Sequence, residues 1–322
     1  MVHVNIVCHR SAYGLAQDAR VLADTLRGAG LRVTESELRG LPPLARLRRK
    51  LAATLRKGPL YDVNVFSEIA AAGLFPLARK NVLIPNPEFL RPDTAEHLAA
   101  FDAIFCKTRE ALAIFSDLGL PAIYTGFSTP PPPALTGKKS FARFFHAGGS
   151  LGIKGTDALV DLWQRHPEWP QLTVTDTSGR QVRVRENLRL LTSYVPERAF
   201  RQLQGEHGVH LCPSEMEGFG HYIVEPMSTG SVVLTTDAAP MNELVTPDRG
   251  FLAGTASRRP HFFGTRYELD RASLEDAIQR VVATPEETLA EMGRRARAWF
   301  EDSDRAFRER LPRLVRQVAE GS

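Results

Sequence analysis

Two carboxylates and one lysine, each set against glycines, are the side chains in this sequence best placed to do chemistry. Glu217 precedes Gly218-Phe219-Gly220, and Glu225 follows eight residues after Glu217. A carboxylate accepts hydrogen bonds from two hydroxyls, glycines let a ligand approach the backbone, and N–H groups at a helix start suit a phosphate. Earlier in the chain, Lys154-Gly155 closes the run Ala147-Gly148-Gly149-Ser150-Leu151-Gly152-Ile153. Backbone N–H groups of such a run can close on diphosphate oxygens, with Lys154 adding charge. Taken alone, E-G-F-G reads better as a tight turn with two solvated acids, because glycine motifs recur by chance.

The elements around these residues give them positions. Val209–Cys212 is a short apolar run fit for a buried parallel strand, a helix begins near Gly220, and Val232–Thr235 is a second strand. Strand, glycine loop, helix and strand make one βαβ unit. Glu217 then lies beyond a strand's carboxyl end, where open α/β sheets bind ligands. The Lys154 loop has the same setting, between a strand at Phe141–His146 and a helix carrying Leu159, Leu162 and Trp163. Leu172–Thr175 and Leu188–Leu191 are further strands, the second followed by Thr192-Ser193-Tyr194-Val195-Pro196. Tyr194 there either stacks on a flat ligand or packs at the strand end.

The first half has the same alternation. Val2–Cys8 is a strand and His9–Gly14 a loop; a helix from Leu15 puts Leu15, Ala19, Leu22 and Leu26 on one face and ends at Gly28-Ala29-Gly30. Strands follow at Leu31–Thr34, Asp62–Phe66, Val82–Ile84, Asp102–Cys106 and Ile123–Thr125. G-x-G-x-x-G is absent, so a dinucleotide reading is weak. Polar residues collect at the strand ends: His9, Arg10 and Ser11 after the first, Ser67 and Glu68 after the third, then Asn86 and Glu88 in a loop stiffened by Pro85 and Pro87. Each either binds a second substrate or holds its turn. Lys107, at the end of the fifth strand, is the better candidate for an anionic group, whereas Thr108 reads as the cap of a helix over Arg109–Leu118.

Four consecutive prolines, Pro130–Pro133, cannot belong to a core element and predict a stiff extended connector near mid-chain. After the central stretch, Ser257–Leu269 reads as irregular, either a flap or a surface loop. Helical runs near 272–283, 286–300 and 304–319 close the chain, with Pro312 expected to bend the last.

In Cys212 to Glu243 the first acid, both glycines, the second acid, Pro226-Met227, Gly230 and Glu243 share one frame. This stretch resembles the donor-sugar signature of retaining glycosyltransferases of the GT-B fold, the family 4 group in particular, with its E-x7-E spacing. The resemblance implies an α/β chain of two Rossmann-like domains facing across a cleft. It divides the chain into an acceptor-side domain (1–128), a linker (129–140), a nucleotide-sugar domain (141–302) and a terminal helix (303–322) returning to the first domain. The implied reaction moves a sugar from a nucleotide-diphosphate donor to an acceptor hydroxyl with retention. The donor is a co-substrate, no further cofactor is called for, and no D-x-D motif ends a strand, so no metal is expected. Resemblance assigns Glu217 to the donor's sugar hydroxyls, Glu225 to its ribose, Lys154 to its diphosphate and Gly14 to the neighbourhood of donor sugar and acceptor. It assigns Glu217, Lys154 and Gly14 to catalysis. Gly148, Gly149, Ser150, Tyr194, Val195, Gly218, Phe219 and Gly220 would complete the donor site. The family usually shows G-R-x4-K-G at the lysine loop; this chain keeps Lys154-Gly155 but has Gly149-Ser150 where the arginine is expected.

Composition sets outer bounds. At 322 residues, with 43% hydrophobic and 24% charged residues, two domains of about 150 residues are expected. No apolar run of about 18 residues suggests a membrane span. The N-terminus has no signal-peptide layout, and Cys8, Cys106 and Cys212 are too few and too scattered for a disulfide framework, so a cytoplasmic protein is expected. Residues 44–58 form a basic amphipathic pattern with Leu44, Leu47, Leu51 and Leu55 on one face. That pattern is either a crossover helix or a peripheral contact with anionic membrane. The acceptor is left as a glycan, lipid-linked or macromolecular; a net charge of +4 is compatible with nucleic acid without favouring it. The rival readings are a sugar-nucleotide epimerase of the same fold, a DNA- or protein-modifying glycosyltransferase, and a nucleotide-sugar-binding protein without activity.

Overall fold

The computed structural model describes residues 1–8, 13–37, 58–69, 71–91, 95–130, 137–149, 152–179 and 185–321. His9, Arg10 and Ser11, residues 44–57 of the basic stretch, Pro131–Pro133 and Ser150 lie outside the described residues. The described chain forms two compact units. The first comprises Met1–Pro130, His261–Gly264 and Ser303–Ser322, and the second Pro131–Pro260 and Thr265–Asp302.

Six parallel strands build the first unit's sheet: β1 (His3–Cys8), β2 (Arg32–Glu37), β3 (Tyr61–Ser67), β4 (Ala78–Ile84), β5 (Ala103–Cys106) and β6 (Ala122–Tyr124), in the order β2-β1-β3-β4-β5-β6. One face of this sheet, including Phe66, Leu83, Ile104 and Cys106, packs with Ala111 and Phe115 of helix α2 (Arg109–Asp117). Thr108 caps α2 by accepting from the Ala111 N–H at 3.1 Å. Helix α1 (Tyr13–Gly28) buries Ala19, Leu22 and Leu26.

Registry in this sheet is fixed by a buried row of amides. Asn5 Nδ2 donates to Asn64 Oδ1 at 2.9 Å, Asn64 Nδ2 to Asn81 Oδ1 at 2.9 Å, and Ser36 Oγ to Asn5 Oδ1 at 2.7 Å. A one-residue slip would turn each amide to the other face and leave it unpaired in an apolar interior.

The second unit repeats the plan with β7 (Ser140–Gly149), β8 (Gln171–Asp176), β9 (Leu188–Leu191), β10 (His207–Cys212), β11 (Val232–Thr236) and β12 (Gly250–Ala253), all parallel and ordered β12-β11-β10-β7-β8-β9. Helices α3 (Thr156–Arg165), α4 (Glu197–Glu206), α5 (His221–Ser228) and α6 (Arg271–Ala283) alternate with or follow these strands. Trp163 of α3 and Leu274, Ile278 and Val281 of α6 enter one core with Phe144, Val209 and Val232 of the sheet.

Four expectations are corrected. Gly14 lies in the first turn of α1 rather than in a loop, because the helix begins at Tyr13. Gly148 and Gly149 belong to the end of β7, which pairs with β8 through a register shift between Ala147 and Gly149. Ser257–Leu269 is not irregular: β13 (Thr255–His261) and β14 (Gly264–Leu269) form a two-stranded ribbon turned by Phe262 and Phe263. The two last helical runs are a single helix, α7 (Glu286–Glu320), which continues through Pro312. Ion pairs one turn apart, Arg297–Glu301 at 2.8 Å and Arg308–Asp304 at 2.8 Å, carry it across the polar stretch that suggested a break.

The last part of α7 packs within the first unit. Phe307 meets Phe127 with ring centroids 5.1 Å apart, Arg310 Nη1 donates to the Thr125 carbonyl at 2.9 Å, and Arg316 Nη2 to the Ala29 carbonyl at 2.7 Å. Among the described residues no helix is long and apolar enough to cross a membrane.

Candidate functional site

Sheet order locates the crevices. In the second unit the chain runs outward from β7 to β8 and β9, then returns to place β10 on the other side of β7. An open parallel sheet binds ligands where its order reverses, beyond the carboxyl ends of the strands. That point lies between β7 and β10, and the segments leaving them carry Lys154 and Glu217.

Two close approaches hold these segments side by side. Gly155 has φ +67, and a Cβ there would stand 2.6 Å from the Pro213 carbonyl oxygen, so only glycine fits. The Glu215 N–H donates to the Ile153 carbonyl at 2.8 Å, tying the second loop to the residue before Lys154. At Gly148 a Cβ would lie 2.7 Å from Thr156 Oγ1, so this glycine lets α3 start against the strand. His146, fully buried, joins the parts: its ring nitrogens meet the Leu211 carbonyl at 2.7 Å and Thr156 Oγ1 at 2.9 Å.

The loop after β10 is fixed from β11. Thr235 Oγ1 donates to the Cys212 carbonyl at 2.7 Å and Thr236 Oγ1 to the Ser214 carbonyl at 2.6 Å. This sets Ser214, wholly buried, with its hydroxyl 2.6 Å from Glu217 Oε1 and 2.5 Å from the Tyr222 hydroxyl. Ser214 has one proton to give. Donation to Glu217 therefore makes Tyr222 the donor to Ser214, and the chain runs Tyr222–OH, Ser214–OH, carboxylate. Burial raises the pKa of Glu217, while Lys154, the Ser214 hydrogen bond and His221 lower it. Lys154 Nζ lies 4.0 Å from the centroid of the Tyr222 ring. One lysine, one carboxylate and two hydroxyls thus form a compact polar set at the reversal point, suited to an anion beside hydroxyl groups.

Gly218 and Phe219 are buried behind Glu217, and Gly220, at φ +96, starts α5. Glu225 sits one turn into α5, buried, in an ion pair with Arg201 at 3.0 Å and accepting from Gln204 Nε2 at 2.8 Å. Tyr194, 80% exposed, and Val195 follow β9 at the edge of the sheet. They line a groove of about 520 Å³ together with Leu190, Pro196 and Leu203. Gly14 is exposed, with nothing within 4 Å of where a Cβ would stand.

Sequence reasoning missed Ser214, Tyr222 and the pair Arg266–Glu215. Arg266 of β14 donates through Nε to Glu215 Oε2 at 2.6 Å, and the Tyr267 N–H donates to the Glu215 carbonyl at 2.8 Å, so the ribbon is stitched to the same loop. The only advance signal was a hydroxyl residue beside the acids in Pro213-Ser214-Glu215; its partner Tyr222 comes from the first turn of a helix.

The first unit gathers its own set. Sheet order reverses between β1 and β3. Lys107, following β5, pairs with Asp18 of α1 and donates to Asn86 Oδ1 at 2.8 Å; both charged side chains are buried. Asn86 Nδ2 faces Glu68 Oε1 at 3.5 Å, at the outer limit of a hydrogen bond. Glu68 holds the left-handed backbone region at φ +68, a strained conformation for a non-glycine residue. Burial raises its pKa, and Lys107 and Asn86 lower it. Ser67, Glu68, Asn86 and Lys107 are therefore neighbours, while Glu88 is buried two residues after Asn86, in the short turn Pro87–Phe89. Asp18 was missed, although a charge on the face that carries Leu15, Ala19 and Leu22 was a legible signal. Among the described residues no group of three or more His, Cys, Asp or Glu side chains is placed to hold a metal ion.

No family model and no curated protein matches the sequence. Solved structures match over the whole chain. Sucrose-phosphate synthase from Thermosynechococcus elongatus aligns with a TM-score of 0.75 at 14% identity, covering 100% of both chains. A glycosyltransferase from Rickettsia africae gives 0.72 at 11% identity, covering 100% of this chain and 99% of the other. HepE from Anabaena, in complex with UDP and glucose, gives 0.69 at 13% identity and full coverage of both chains. With two six-stranded parallel sheets in series and these alignments along its whole length, the chain has the GT-B fold.

Proposed function

We propose that this protein is a retaining, metal-independent glycosyltransferase that moves a sugar from a nucleotide-diphosphate donor to an acceptor hydroxyl. The observation that carries the reading is the set Lys154, Ser214, Glu217 and Tyr222 at the reversal point of the second sheet. An anion beside hydroxyls is what a nucleotide-diphosphate sugar offers. HepE structures with UDP and glucose and with UDP-glucose support that donor class here.

In the reaction, the bond from the sugar's anomeric carbon to the diphosphate oxygen breaks, and the leaving diphosphate takes the electron pair. The acceptor oxygen forms the new bond and passes its proton to the leaving diphosphate. Lys154 and the N–H groups opening α3 and α5 face the charge that grows on the leaving group, an electrostatic role that needs no metal. Glu217, whose pKa is raised by burial against the lowering pull of Lys154 and the Ser214 hydrogen bond, accepts from the donor's sugar hydroxyls. Glu225, oriented by Arg201 and Gln204, takes the ribose. Tyr194 and Val195 are assigned to the nucleobase, and the family resemblance assigns Gly14 to catalysis. Retention rests on the resemblance of residues 212–243 to retaining enzymes.

A panel of UDP-, GDP- and ADP-sugars, scored for transfer or donor hydrolysis, tests this. Release of nucleoside diphosphate from at least one donor is expected, and Glu217→Ala should abolish it while leaving thermal unfolding cooperative. Turnover by Glu217→Ala at the wild-type rate would sink the assignment.

A further inference from the structure

The crevice of the first unit carries a preference of its own. Four elements deliver side chains to the carboxyl ends beside its reversal point: Asp18 from α1, Ser67 and Glu68 from the end of β3, Asn86 after β4 and Lys107 after β5. Lys107, the cation that an anionic ligand would seek, is already engaged. Its ammonium pairs with Asp18 and donates to Asn86 at 2.8 Å, with 2% of the lysine side chain and 3% of the aspartate exposed. Glu68 adds a second carboxylate to the set. Among the described residues, a phosphate brought here would meet two carboxylates against one neutralised ammonium, and like charges at short range repel.

Ser67 points to what the crevice takes instead. It is 1% exposed, and its hydroxyl has no hydrogen-bond partner among the described residues. A buried hydroxyl without a partner costs about 1–3 kcal/mol, so one that persists marks a place for a polar guest. Strand alternation gives its direction. Phe66 belongs to the cluster packed on α2, so Ser67 faces the opposite side of the sheet. Lys107 follows Cys106, another member of that cluster, and meets Asp18 on the same opposite side. The unsatisfied hydroxyl and the neutralised ion pair therefore share one face and one end of the sheet.

We infer that Ser67, Glu68 and Asn86, backed by the Asp18–Lys107 pair, form a site for an uncharged saccharide or polyol and reject its phosphorylated form. A sugar hydroxyl accepts from Ser67 or from the Asn86 amide and also donates to Glu68, and this last use is one that a dianionic phosphate group cannot replace. The description of this ligand as the acceptor rests on the glycosyl-transfer reading; its chemical class does not.

The test is saturation-transfer NMR backed by calorimetry on the full chain, with glucose, galactose, mannose and fructose as probes against their 6-phosphates. At least one neutral sugar is expected to bind at millimolar concentration, and its phosphate at least about tenfold more weakly. Ser67→Ala removes no hydrogen bond among the described residues, so it should fold normally and weaken the neutral sugar about fivefold. Asp18→Asn frees the Lys107 charge and should narrow or reverse the preference against the phosphate; Glu68→Gln should act in the same direction. Equal or tighter binding of the phosphate to the unaltered protein, binding of neither class, or an unchanged affinity in Ser67→Ala overturns the inference. UDP binding, followed in the same samples, separates the two claims. UDP bound without any sugar response sinks only this one, and a sugar response without nucleotide binding sinks only the transferase reading.

Discussion

Ser214→Ala is the most informative single change. Ser214 is wholly buried and spends its proton on Glu217 at 2.6 Å while accepting from Tyr222 at 2.5 Å. Its loss removes a hydrogen bond to a charged group, about 1.5–3 kcal/mol, and leaves the enclosed Tyr222 hydroxyl without that acceptor. The two effects sum to about 3 kcal/mol. At about 2–4 °C per kcal/mol for a domain of this size, Tm should fall by ~6–12 °C. Tyr222→Phe alone should cost only about 1 kcal/mol, since Ser214 keeps Glu217. In the Tyr222→Phe background no tyrosine hydroxyl is orphaned, so adding Ser214→Ala should cost about 2 kcal/mol, a coupling of about 1 kcal/mol. The chemical readout moves with the stability. The Ser214 hydrogen bond lowers the pKa of Glu217, which burial raises. Without it, the acidic limb of the transfer rate should shift to higher pH. A Tm within about 1 °C of the parent, together with an unmoved acidic limb, would refute the hydroxyl chain.

Other expectations concern glycines and histidines. Gly155→Ala forces a side chain into φ +67 and against the Pro213 carbonyl; a loss of about 2 kcal/mol or more in denaturant titration is expected, with weakened nucleotide binding. Gly14→Ala meets open space in a helix and should stabilise by about 0.5 kcal/mol; unaltered transfer in that variant would contradict the assignment of Gly14 to the transferred sugar. His207 and His210 are buried, and burial lowers both pKa values, Lys139 adding to the effect at His210. The unfolded chain takes up these protons near pH 6.5 while the folded one resists, so stability should fall as pH drops below about 6.5. His210 Nε2 meets the Gln204 carbonyl at 3.0 Å, a bond that His210→Gln can keep as donor. That variant should flatten the acid slope of Tm, and an unchanged slope would contradict the assignment.

The βαβ unit from His207 to Thr236 was legible because its apolar runs, glycine turn and helix start announce themselves within thirty residues. So was the parallel-sheet character of both halves, which the alternation of short apolar runs with amphipathic helices dictates. Elements lacking an apolar signature were misread. The β13–β14 ribbon has mostly exposed residues in its first strand, so no hydrophobic period marks it. The end of β7 was hidden because Gly148 and Gly149 look like a loop until β8 pairs with them across a register shift. Within the sites, charged and glycine residues stood out while their companions did not. Tyr222 meets Ser214, and Asp18 meets Lys107 across 89 positions of sequence, only through tertiary folding. The amides of Asn5, Asn64 and Asn81 are likewise anonymous until strand register lines them up.

The central claim is that Lys154 takes the diphosphate and Glu217 the sugar of one nucleotide-diphosphate sugar. Calorimetric titration of UDP-glucose, UDP and uridine into the parent protein, Lys154→Ala and Glu217→Gln tests it most directly. The account predicts that UDP binds more tightly than uridine and that Lys154→Ala erases this difference. It also predicts that Glu217→Gln leaves UDP unchanged while weakening UDP-glucose. The same panel with GDP- and ADP-glucose covers the other bases. Equal affinity for diphosphate and nucleoside in the parent protein, or diphosphate binding that survives Lys154→Ala undiminished, would contradict it.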